Sequence, residues 1–421
     1  MNFFLTTIGS AGDVFPMLGL ALKLREQGHH VTLATNSYFK PLAAKHQIEF
    51  KELGTREQYF EAIQDPALWH PQKAFSHIFK FFQPILERQH QLLVEQAHLE
   101  PTICLSNCLG FGARTAQESH GIPVLTVHLQ PAVLWSDHAP PQLANLFGPR
   151  WFKSLLYRVG EKFALDRLLG AHLNPWRKSL GLPPVKRAGR WWNSPTGVLC
   201  LFPEWYAAPQ PDWPHPLLQT DFPLWNDDAD QPLPVDVQTY LDAGEPPLVF
   251  TPGTANIHGR DFFTAASAAC QKLNRRGVFL TRHPEQLPAP LPNLIHHIDY
   301  VPLDLLLARS AAFVHHGGIG STSQALLAGI PQIVMPLAHD QFDNAVRVKQ
   351  LHVGQSLPVK RFTTDNLTNM LQDLLSSPEV HSNCQTIRSR LTARTGLEQA
   401  VQKMEQLFAS PGRKATDPVN R

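Results

Sequence analysis

The sequence lacks a long apolar run, a marked excess of charge of either sign, and any cluster of metal-ligating residues. No apolar run reaches the roughly 18–20 residues that a membrane-spanning helix needs. The 37 Lys and Arg residues nearly balance the 35 Asp and Glu residues, which argues against a basic field that binds nucleic acid. The 21 histidines are dispersed and form no HExxH pattern, so we expect no metal site.

Cysteine is also scarce. The five cysteines among 421 residues are odd in number and scattered, which suits reduced thiols in a cytoplasm. The amino terminus, MNFFLTTIGSAGD, has no basic segment ahead of an apolar one and so does not resemble a signal peptide. We therefore expect a cytoplasmic protein, with the inner face of the membrane as the alternative location.

The chain is too long for one ordinary core, and two domains of roughly 200 residues each are expected. Each half opens with an apolar strand, a turn, a helix and a second strand, from NFFLTTIG to HVTLAT and from PLVFTPGT to VFLTR. This alternation predicts parallel sheets with helices on both faces. The predicted fold class is α/β, with two Rossmann-like doubly wound domains that face a cleft.

Proline is the residue type in excess, and its 37 copies are densest between Pro183 and Pro247. Because proline removes backbone donors, this stretch predicts a long ordered connection on the surface. We interpret the acidic run at 226–230 as a flexible, solvated part of the linker. The predicted divisions are an amino-terminal domain over 1–225, a linker over 226–245, a carboxyl-terminal domain over 246–385, a helical segment over 386–410 and a disordered tail over 411–421.

A glycine-rich turn, VHHGGIGST, follows an apolar strand in the second half. Glycines let an anion approach the backbone, and the first turn of the following helix has unpaired N–H groups and a partial positive charge. Ser321 or Thr322 could cap that helix. The candidate phosphate-binding residues are His316, Gly317, Gly318, Gly320, Ser321 and Thr322. The alternative is that the glycines only permit a tight turn.

A carboxylate and an amide stand side by side twenty residues beyond Gly320, where MPLAHDQFDNA places Asp340 and Gln341 after another strand. The ends of successive strands line one cleft in this fold class, so the pair should face the same space as the glycine turn. A carboxylate would repel phosphate, whereas an acid beside an amide suits a ring of hydroxyls. The combination predicts a nucleotide-sugar site.

These motifs together resemble the inverting family 1 glycosyltransferases of the two-domain GT-B fold. HHGGIGST followed by DQFDNA is similar to the donor signature of the plant secondary-product and the bacterial antibiotic and macrolide enzymes. GSAGDVFPMLGLALKLREQGHHVTLAT is similar to the opening of their acceptor domain. Over nearly the whole chain the sequence also resembles the rhamnosyltransferases of rhamnolipid synthesis, particularly in CLFPEWYAAPQPDWPHPLLQTDFPL.

The resemblance implies a role for each matching residue. Asp13 occupies the position of the acceptor base, and burial would have to raise its pKa for that role. The alternative is that Asp13 only caps the helix beginning near Pro16. His316 matches the histidine on the diphosphate, Ser321 a phosphate-binding serine, and Gly317 and Gly318 the backbone cradle. The remaining matches are Thr254 near the phosphates, Asp340 and Gln341 on the sugar, and Tyr300 and Val301 at the nucleobase.

The sequence departs from the plant pattern in three places, which together involve four residues. Ile319 and Gly320 replace Trp-Asn, Gln324 replaces the glutamate that holds the ribose hydroxyls, and Tyr300 replaces the stacking tryptophan. Without the glutamate, the ribose hydroxyls are held less strongly. Because a thymidine nucleotide lacks the 2′-hydroxyl, a dTDP-sugar is then as plausible a donor as a UDP-sugar. The sequence has no Asp-x-Asp metal motif, so we expect no metal cofactor and no resident cofactor besides the nucleotide-sugar co-substrate.

The resemblance thus implies inverting transfer of a hexose, rhamnose or glucose, to a hydroxyl of a small hydrophobic acceptor by a monomer or homodimer. A nucleotide-sugar epimerase of the same fold and a non-catalytic glycosyltransferase partner remain alternatives. His128 and Asp137 could approach the acceptor but are not preferred. The stretch FGPRWFKSLLYRVGEKFALDRLLG is amphipathic enough for peripheral membrane contact, although a helix covering the core is the favoured interpretation.

Overall fold

The structure is a computed structural model that describes residues 1–65, 74–142, 148–227, 232–253 and 256–409, with only the backbone given for 74–83. Thr254 and the predicted tail at 411–421 therefore lie outside the described residues. Within those residues, the strands form two wholly parallel sheets, of seven and six strands. The prediction of two α/β Rossmann-like domains is confirmed, while the exact domain divisions stay predictions.

The first sheet has the strand order β3-β2-β1-β4-β5-β6-β7. Its strands are β1 (Asn2–Thr6), β2 (His30–Asn36), β3 (Glu49–Gly54), β4 (Thr102–Asn107), β5 (Val124–His128), β6 (Val198–Cys200) and β7 (Leu217–Gln219). The helices along this part of the chain are α1 (Ala11–Glu26), α2 (Lys40–Lys45), α3 (Arg56–Gln64), α4 (Ala74–Leu99), α5 (Phe111–His120), α6 (Arg150–Gly160), α7 (Asp166–Ser179) and α8 (Ala188–Trp191).

The second sheet has the order β10-β9-β8-β11-β12-β13. Its strands are β8 (Leu248–Thr251), β9 (Gly277–Leu280), β10 (Ile295–Ile298), β11 (Ala312–His315), β12 (Gln332–Val334) and β13 (Gly354–Ser356). The helices here are α9 (Val235–Asp242), α10 (Arg260–Leu273), α11 (Leu303–Leu307), α12 (Ile319–Ala328), α13 (Gln341–Gln350), α14 (Thr364–Ser376), α15 (Pro378–Leu391) and α16 (Gly396–Ala409).

Helix α1 begins at Ala11, well before the predicted start near Pro16. Ser10 is its N-cap: the Ser10 Oγ accepts from Gly12 N at 3.3 Å, and the Ser10 N–H donates to Asp13 Oδ2 at 2.9 Å. This reciprocal pair is a capping box, which satisfies N–H groups that the first turn leaves without partners. Asp13 is therefore the third helical residue rather than the cap itself.

The proline-rich segment packs its aromatic side chains against both domains. Phe202, Tyr206, Trp213 and Phe222 are buried in a cluster shared by both domains, which also contains Val334 and Leu326 of the second. The segment also supplies β7 as the edge strand of the first sheet, where proline-rich sequence is tolerated. The aromatic side chains override the proline content because burying each one removes a large apolar area from water.

The end of the described chain returns to the first domain. Helix α16 packs Leu397, Val401 and Met404 into the same core as α1. Asp227, in the acidic run, has a mostly buried carboxylate that pairs with Lys45 at 2.9 Å and with His46. Both contacts fix the start of the predicted linker to the first domain, while residues 228–230 of the run lie outside the described residues.

Candidate active site

A cleft of about 1440 Å³ lies between the two domains, at the carboxyl ends of the strands of both sheets. Its walls come from the segments after β1, β4 and β5 on one side and after β8, β9, β10, β11 and β12 on the other. Small-molecule pockets usually measure about 300–1,000 Å³, so this cleft has room for two substrates. Nine of the predicted site residues line it, namely Asp13, Tyr300, Val301, His316, Gly318, Gly320, Ser321, Asp340 and Gln341.

Asp13 projects into the cleft from the first turn of α1. Loss of water around the carboxylate raises its pKa to about 6, and the hydrogen bonds from Ser10 oppose that rise. Gly9 makes the placement feasible: its φ is +144°, and a Cβ there would come within 2.1 Å of Asp13 Oδ2. The sequence GSAGD thus folds into a turn whose glycine leaves room for the carboxylate.

His316 lies on the opposite side, directly after β11. Desolvation lowers its pKa to about 4, so the ring is neutral at pH 7 and carries one N–H. The ring packs against two glycines: a Cβ would come within 2.6 Å of His316 Nε2 at Gly318 and within 2.9 Å of its Cε1 at Gly253. Among the described residues, the buried Nδ1 has no hydrogen-bond partner.

The helix behind the glycine turn begins at Ile319, with Gly318 as N-cap and no side-chain cap. The expectation that Ser321 or Thr322 caps it is therefore wrong, because both lie inside the helix. The Thr322 hydroxyl donates to Gly318 O at 3.0 Å and is fully buried. The N–H groups of the first turn are left for another acceptor, as at any uncapped helix start.

Gly317 shapes the backbone of the turn and does not offer its own N–H group to a phosphate. Its N–H donates to His315 Nδ1 at 3.1 Å, so it cannot serve a ligand, and Gly317 does not line the cleft. Its φ is +92°, and a Cβ there would come within 2.4 Å of Val334 Cγ1. Only glycine permits this turn without displacing the neighbouring strand.

Asp340 and Gln341 enter the cleft where α13 begins. Desolvation raises the pKa of Asp340 to about 7, and the negative charge of Asp13 raises it further. The Gln341 Oε1 accepts the N–H groups of Leu337 and Ala338 at 2.7 and 3.0 Å. Its Oε1 therefore holds the loop, which leaves the amide Nε2 as the group to donate to a ligand.

Tyr300 and Val301 follow β10 at the predicted nucleobase end of the cleft. The guanidinium of Arg282 lies over the Tyr300 ring, 4.9 Å from its centre. Among the described residues that line the cleft, Arg282 is the only lysine or arginine, and sequence reasoning missed it. Its place directly after β9 was the available signal, because ligands bind at strand ends in this architecture.

The described residues form neither a metal-binding cluster nor a membrane-spanning helix. No group of three or more His, Cys, Asp or Glu side chains that could hold a metal ion occurs among them. In the same part of the chain, no helix is long and apolar enough to cross a bilayer. His128 is buried at the end of β5, bonds Asn193 Oδ1 at 2.7 Å and does not line the cleft.

Both ends of the described chain match glycosyltransferase domain models. Residues 3–134 match the glycosyltransferase family 28 N-terminal domain, and residues 278–407 match the erythromycin biosynthesis protein CIII-like C-terminal domain. The chain is a glycosyltransferase of the GT-B fold. It is related to glycosyltransferases of antibiotic and macrolide synthesis, and the finer resemblance to the rhamnolipid enzymes stays a prediction.

Three proteins illustrate how far the similarity of this glycosyltransferase extends. It is 25% identical to the O-mycaminosyltylonolide 6-deoxyallosyltransferase of Streptomyces fradiae, over 96% of this chain and 97% of the relative. The glycosyltransferase of kitacinnamycin superposes with a TM-score of 0.73 at 22% identity, covering 96% and 98% of the two chains. The spinosyn rhamnosyltransferase SpnG, solved with thymidine diphosphate, gives 0.67 at 17% identity, covering 96% and 100%.

Proposed function

We propose that this glycosyltransferase moves a hexose from a dTDP- or UDP-sugar to a hydroxyl of a small apolar acceptor, with inversion at the anomeric carbon. The observation that carries the proposal is the composition of the cleft. A carboxyl with a raised pKa lies on the wall of the first domain, and an uncapped helix start beside a neutral histidine lies on the wall of the second.

In the proposed reaction, Asp13 accepts the proton of the acceptor hydroxyl as its oxygen attacks the anomeric carbon. The new C–O bond forms on the face opposite the diphosphate, and the bond from the anomeric carbon to the diphosphate oxygen breaks. The leaving diphosphate takes the electron pair, and its charge is stabilised by His316 and the free N–H groups of α12. With a pKa of about 6, Asp13 is mostly ionised at neutral pH and is basic enough to accept the proton of the acceptor hydroxyl.

Several features favour a nucleoside diphosphate sugar as donor. Arg282 supplies a cation beside Tyr300, and Gln324 supplies a neutral amide where the related plant enzymes have a ribose-binding glutamate. SpnG was solved with thymidine diphosphate, which supports a dTDP-sugar. The names of SpnG and the Streptomyces relative, a rhamnosyltransferase and a 6-deoxyallosyltransferase, support a 6-deoxyhexose such as rhamnose, with glucose as the second candidate.

The acceptor end of the cleft favours an apolar molecule. Trp135, Leu165, Leu168 and Trp192 contribute to the wall of the first domain near α6 and α7. Such a surface suits a lipid or a secondary metabolite, because large apolar side chains bind by excluding water. We do not propose a metal cofactor, and metal independence is a prediction that needs its own test.

The proposal is tested by incubating purified protein with a panel of dTDP- and UDP-sugars and apolar alcohols, with product analysed by mass spectrometry and NMR. We expect a glycoside of inverted anomeric configuration and free nucleoside diphosphate. Conversion of the sugar to its epimer without transfer would favour an epimerase. Donor binding without any turnover, including hydrolysis, would favour a non-catalytic partner, and either result would overturn the proposal.

A further inference from the structure

Helix α6 and the π-helical turn that follows it, Glu161–Leu165, expose an unusual apolar surface. Of the eleven large hydrophobic side chains exposed in the described part of the chain, six lie here, so they are not scattered. We call this surface the α6 apolar face: Trp151, Phe152, Leu155, Leu156, Val159 and Phe163. Trp151 is 69% exposed and Phe163 53%, so no neighbouring element within the chain covers them. Contiguous exposed apolar surface marks an interaction site.

The charges around this face are mostly positive. Residues 150–167 contain five Lys or Arg residues and two carboxylates, and one of the five, Arg158, pairs with a third carboxylate, that of Asp137. Both carboxylates have partners within the protein. Glu161 is buried and forms an ion pair with Arg187, and Asp166 accepts hydrogen bonds from the backbone N–H groups of Arg187 and Ala188. Lys162 and Arg167 flank the Phe163 ring at 5.4 and 5.7 Å, and neither pairs with a carboxylate in the part of the chain described.

The same helical segment also walls the cleft. Leu156, Tyr157, Gly160, Ala164 and Leu168 line it, while Trp151, Val159 and Phe163 point to solvent. The apolar end of the cleft and the α6 apolar face therefore adjoin on one element, and Leu156 belongs to both. A molecule leaving an apolar phase at this face would have a short path to the cleft.

We propose that the α6 apolar face docks on an anionic lipid bilayer, from which the enzyme takes an amphipathic acceptor with an apolar chain. Apolar side chains surrounded by Lys and Arg are the composition of a surface that lies in the headgroup region of a membrane. A symmetric dimer through this face is disfavoured, because it would bring two sets of like charges together. One side of α6 thus packs on the protein, and the other side contacts the membrane.

The docking is tested by co-sedimentation with vesicles of phosphatidylcholine alone and of phosphatidylcholine mixed equally with phosphatidylglycerol. We expect the wild type to bind the mixed vesicles, to bind phosphatidylcholine weakly, and to lose binding at high salt. A Trp151→Ser/Phe163→Ser variant should bind at least about tenfold less. The matched control is Leu99→Ser/Val235→Ser, which removes two side chains that are 82% and 83% exposed elsewhere.

Lys162→Glu/Arg167→Glu should lose binding to the mixed, anionic vesicles but keep its weak binding to phosphatidylcholine vesicles. All variants should have the melting temperature of the wild type. The docking proposal is wrong if the wild type binds neither kind of vesicle. It is equally wrong if the control variant loses as much binding as the Trp151→Ser/Phe163→Ser variant. It is also wrong if light scattering shows a dimer that only the α6 variant breaks, since the face would then join two copies.

The choice of acceptor rests on the proposed function and needs a separate assay. A water-soluble apolar alcohol should be glycosylated at the same rate by the wild type and by Trp151→Ser/Phe163→Ser. A long-chain hydroxylated lipid presented in mixed vesicles should be glycosylated far more slowly by that variant. Equal rates on the vesicle acceptor would overturn the link between docking and transfer. Vesicle binding without transfer to either acceptor would instead contradict the proposed function.

Discussion

Asn344 donates through its Nδ2 to Asp340 Oδ2, at 2.7 Å. The same Nδ2 donates to Gly317 O at 2.9 Å, and the Asn344 Oδ1 accepts from the Tyr206 hydroxyl at 2.8 Å. One fully buried amide thus connects the start of α13, the glycine turn and the proline-rich segment. The positions of Asp340 and of the turn are coupled because they depend on the same side chain.

Asp340→Asn should make the stability of the protein less sensitive to pH. An Asp has a pKa near 3.8 when exposed, and Asp340 has one of about 7 in the folded protein. The folded state therefore holds a proton that the unfolded state releases, and wild-type stability falls as pH rises from about 4 to 7. We expect the melting temperature of the variant, relative to the wild type, to increase over that interval. Asp373→Asn, an exposed position on α14, is the control and should show no such trend.

His316→Ala should weaken nucleoside diphosphate binding and turnover together, because the ring faces the proposed diphosphate position. Calorimetry with dTDP and UDP, followed by kinetics with the preferred donor, measures both effects. His381→Ala, on α15 away from the cleft, is the matched control. Wild-type donor affinity and rate in the His316 variant would show that the phosphate position is assigned wrongly.

Gln341 should govern the sugar rather than the nucleotide, so its replacement should reduce transfer more than nucleoside diphosphate binding. Gln341→Ala removes two functions at once, because the Oε1 also holds the N–H groups of Leu337 and Ala338. Gln341→Glu keeps an acceptor for those groups, loses the amide donor and adds a carboxyl group beside Asp340. We expect both variants to bind free nucleoside diphosphate nearly normally and to transfer slowly. Equal losses of binding and transfer in the Glu variant would place Gln341 at another part of the donor.

Activity should not require a divalent metal. The proposed stabilisation of the diphosphate uses a helix start and one histidine, and the described residues contain no group of three or more His, Cys, Asp or Glu side chains that could hold an ion. Treatment with EDTA, followed by gel filtration, should leave the rate unchanged. A rate that falls to background and returns with Mg²⁺ or Mn²⁺ would contradict this prediction.

Many of the strands were predictable because each is a short apolar run followed by a turn and a helix, whereas β6 and β7 follow each other without an α-helix between them. The glycine turn and the DQ pair were predictable as neighbours because the chain order places both at the ends of adjacent parallel strands, β11 and β12. Ser10, in contrast, starts α1 earlier than the apolar pattern suggests, because a capping box adds a turn that hydrophobic spacing cannot reveal.

Other features depend on long-range contacts that sequence spacing does not encode. Asn344 is an ordinary polar residue in DQFDNA, and only folding brings it to Tyr206, 138 positions away. Arg282 gains significance because, among the described residues, the other strand ends supply no further lysine or arginine to the cleft lining. Gly317 was assigned to the phosphates, but its N–H is already bonded to His315. The proposed role of Thr254 falls outside the described residues and remains a prediction.

The central claim is that Asp13 accepts the proton of the acceptor, and the single-turnover rate of Asp13→Asn tests it most directly. Asn keeps the size of the side chain and can still accept the Ser10 N–H, so the variant should melt near the wild type and bind donor normally. We predict that its rate falls by at least about a hundredfold, because positioned bases contribute about 10²–10⁴-fold. The wild-type rate should rise with pH through an apparent pKa of about 6, and the variant should lose that rise. If Asp13 only completes the helix cap, Asp13→Asn will stay active, and Asp13→Ala will lose stability by about 1 kcal/mol with little change in rate. An intact, fully active Asp13→Asn enzyme would contradict the account.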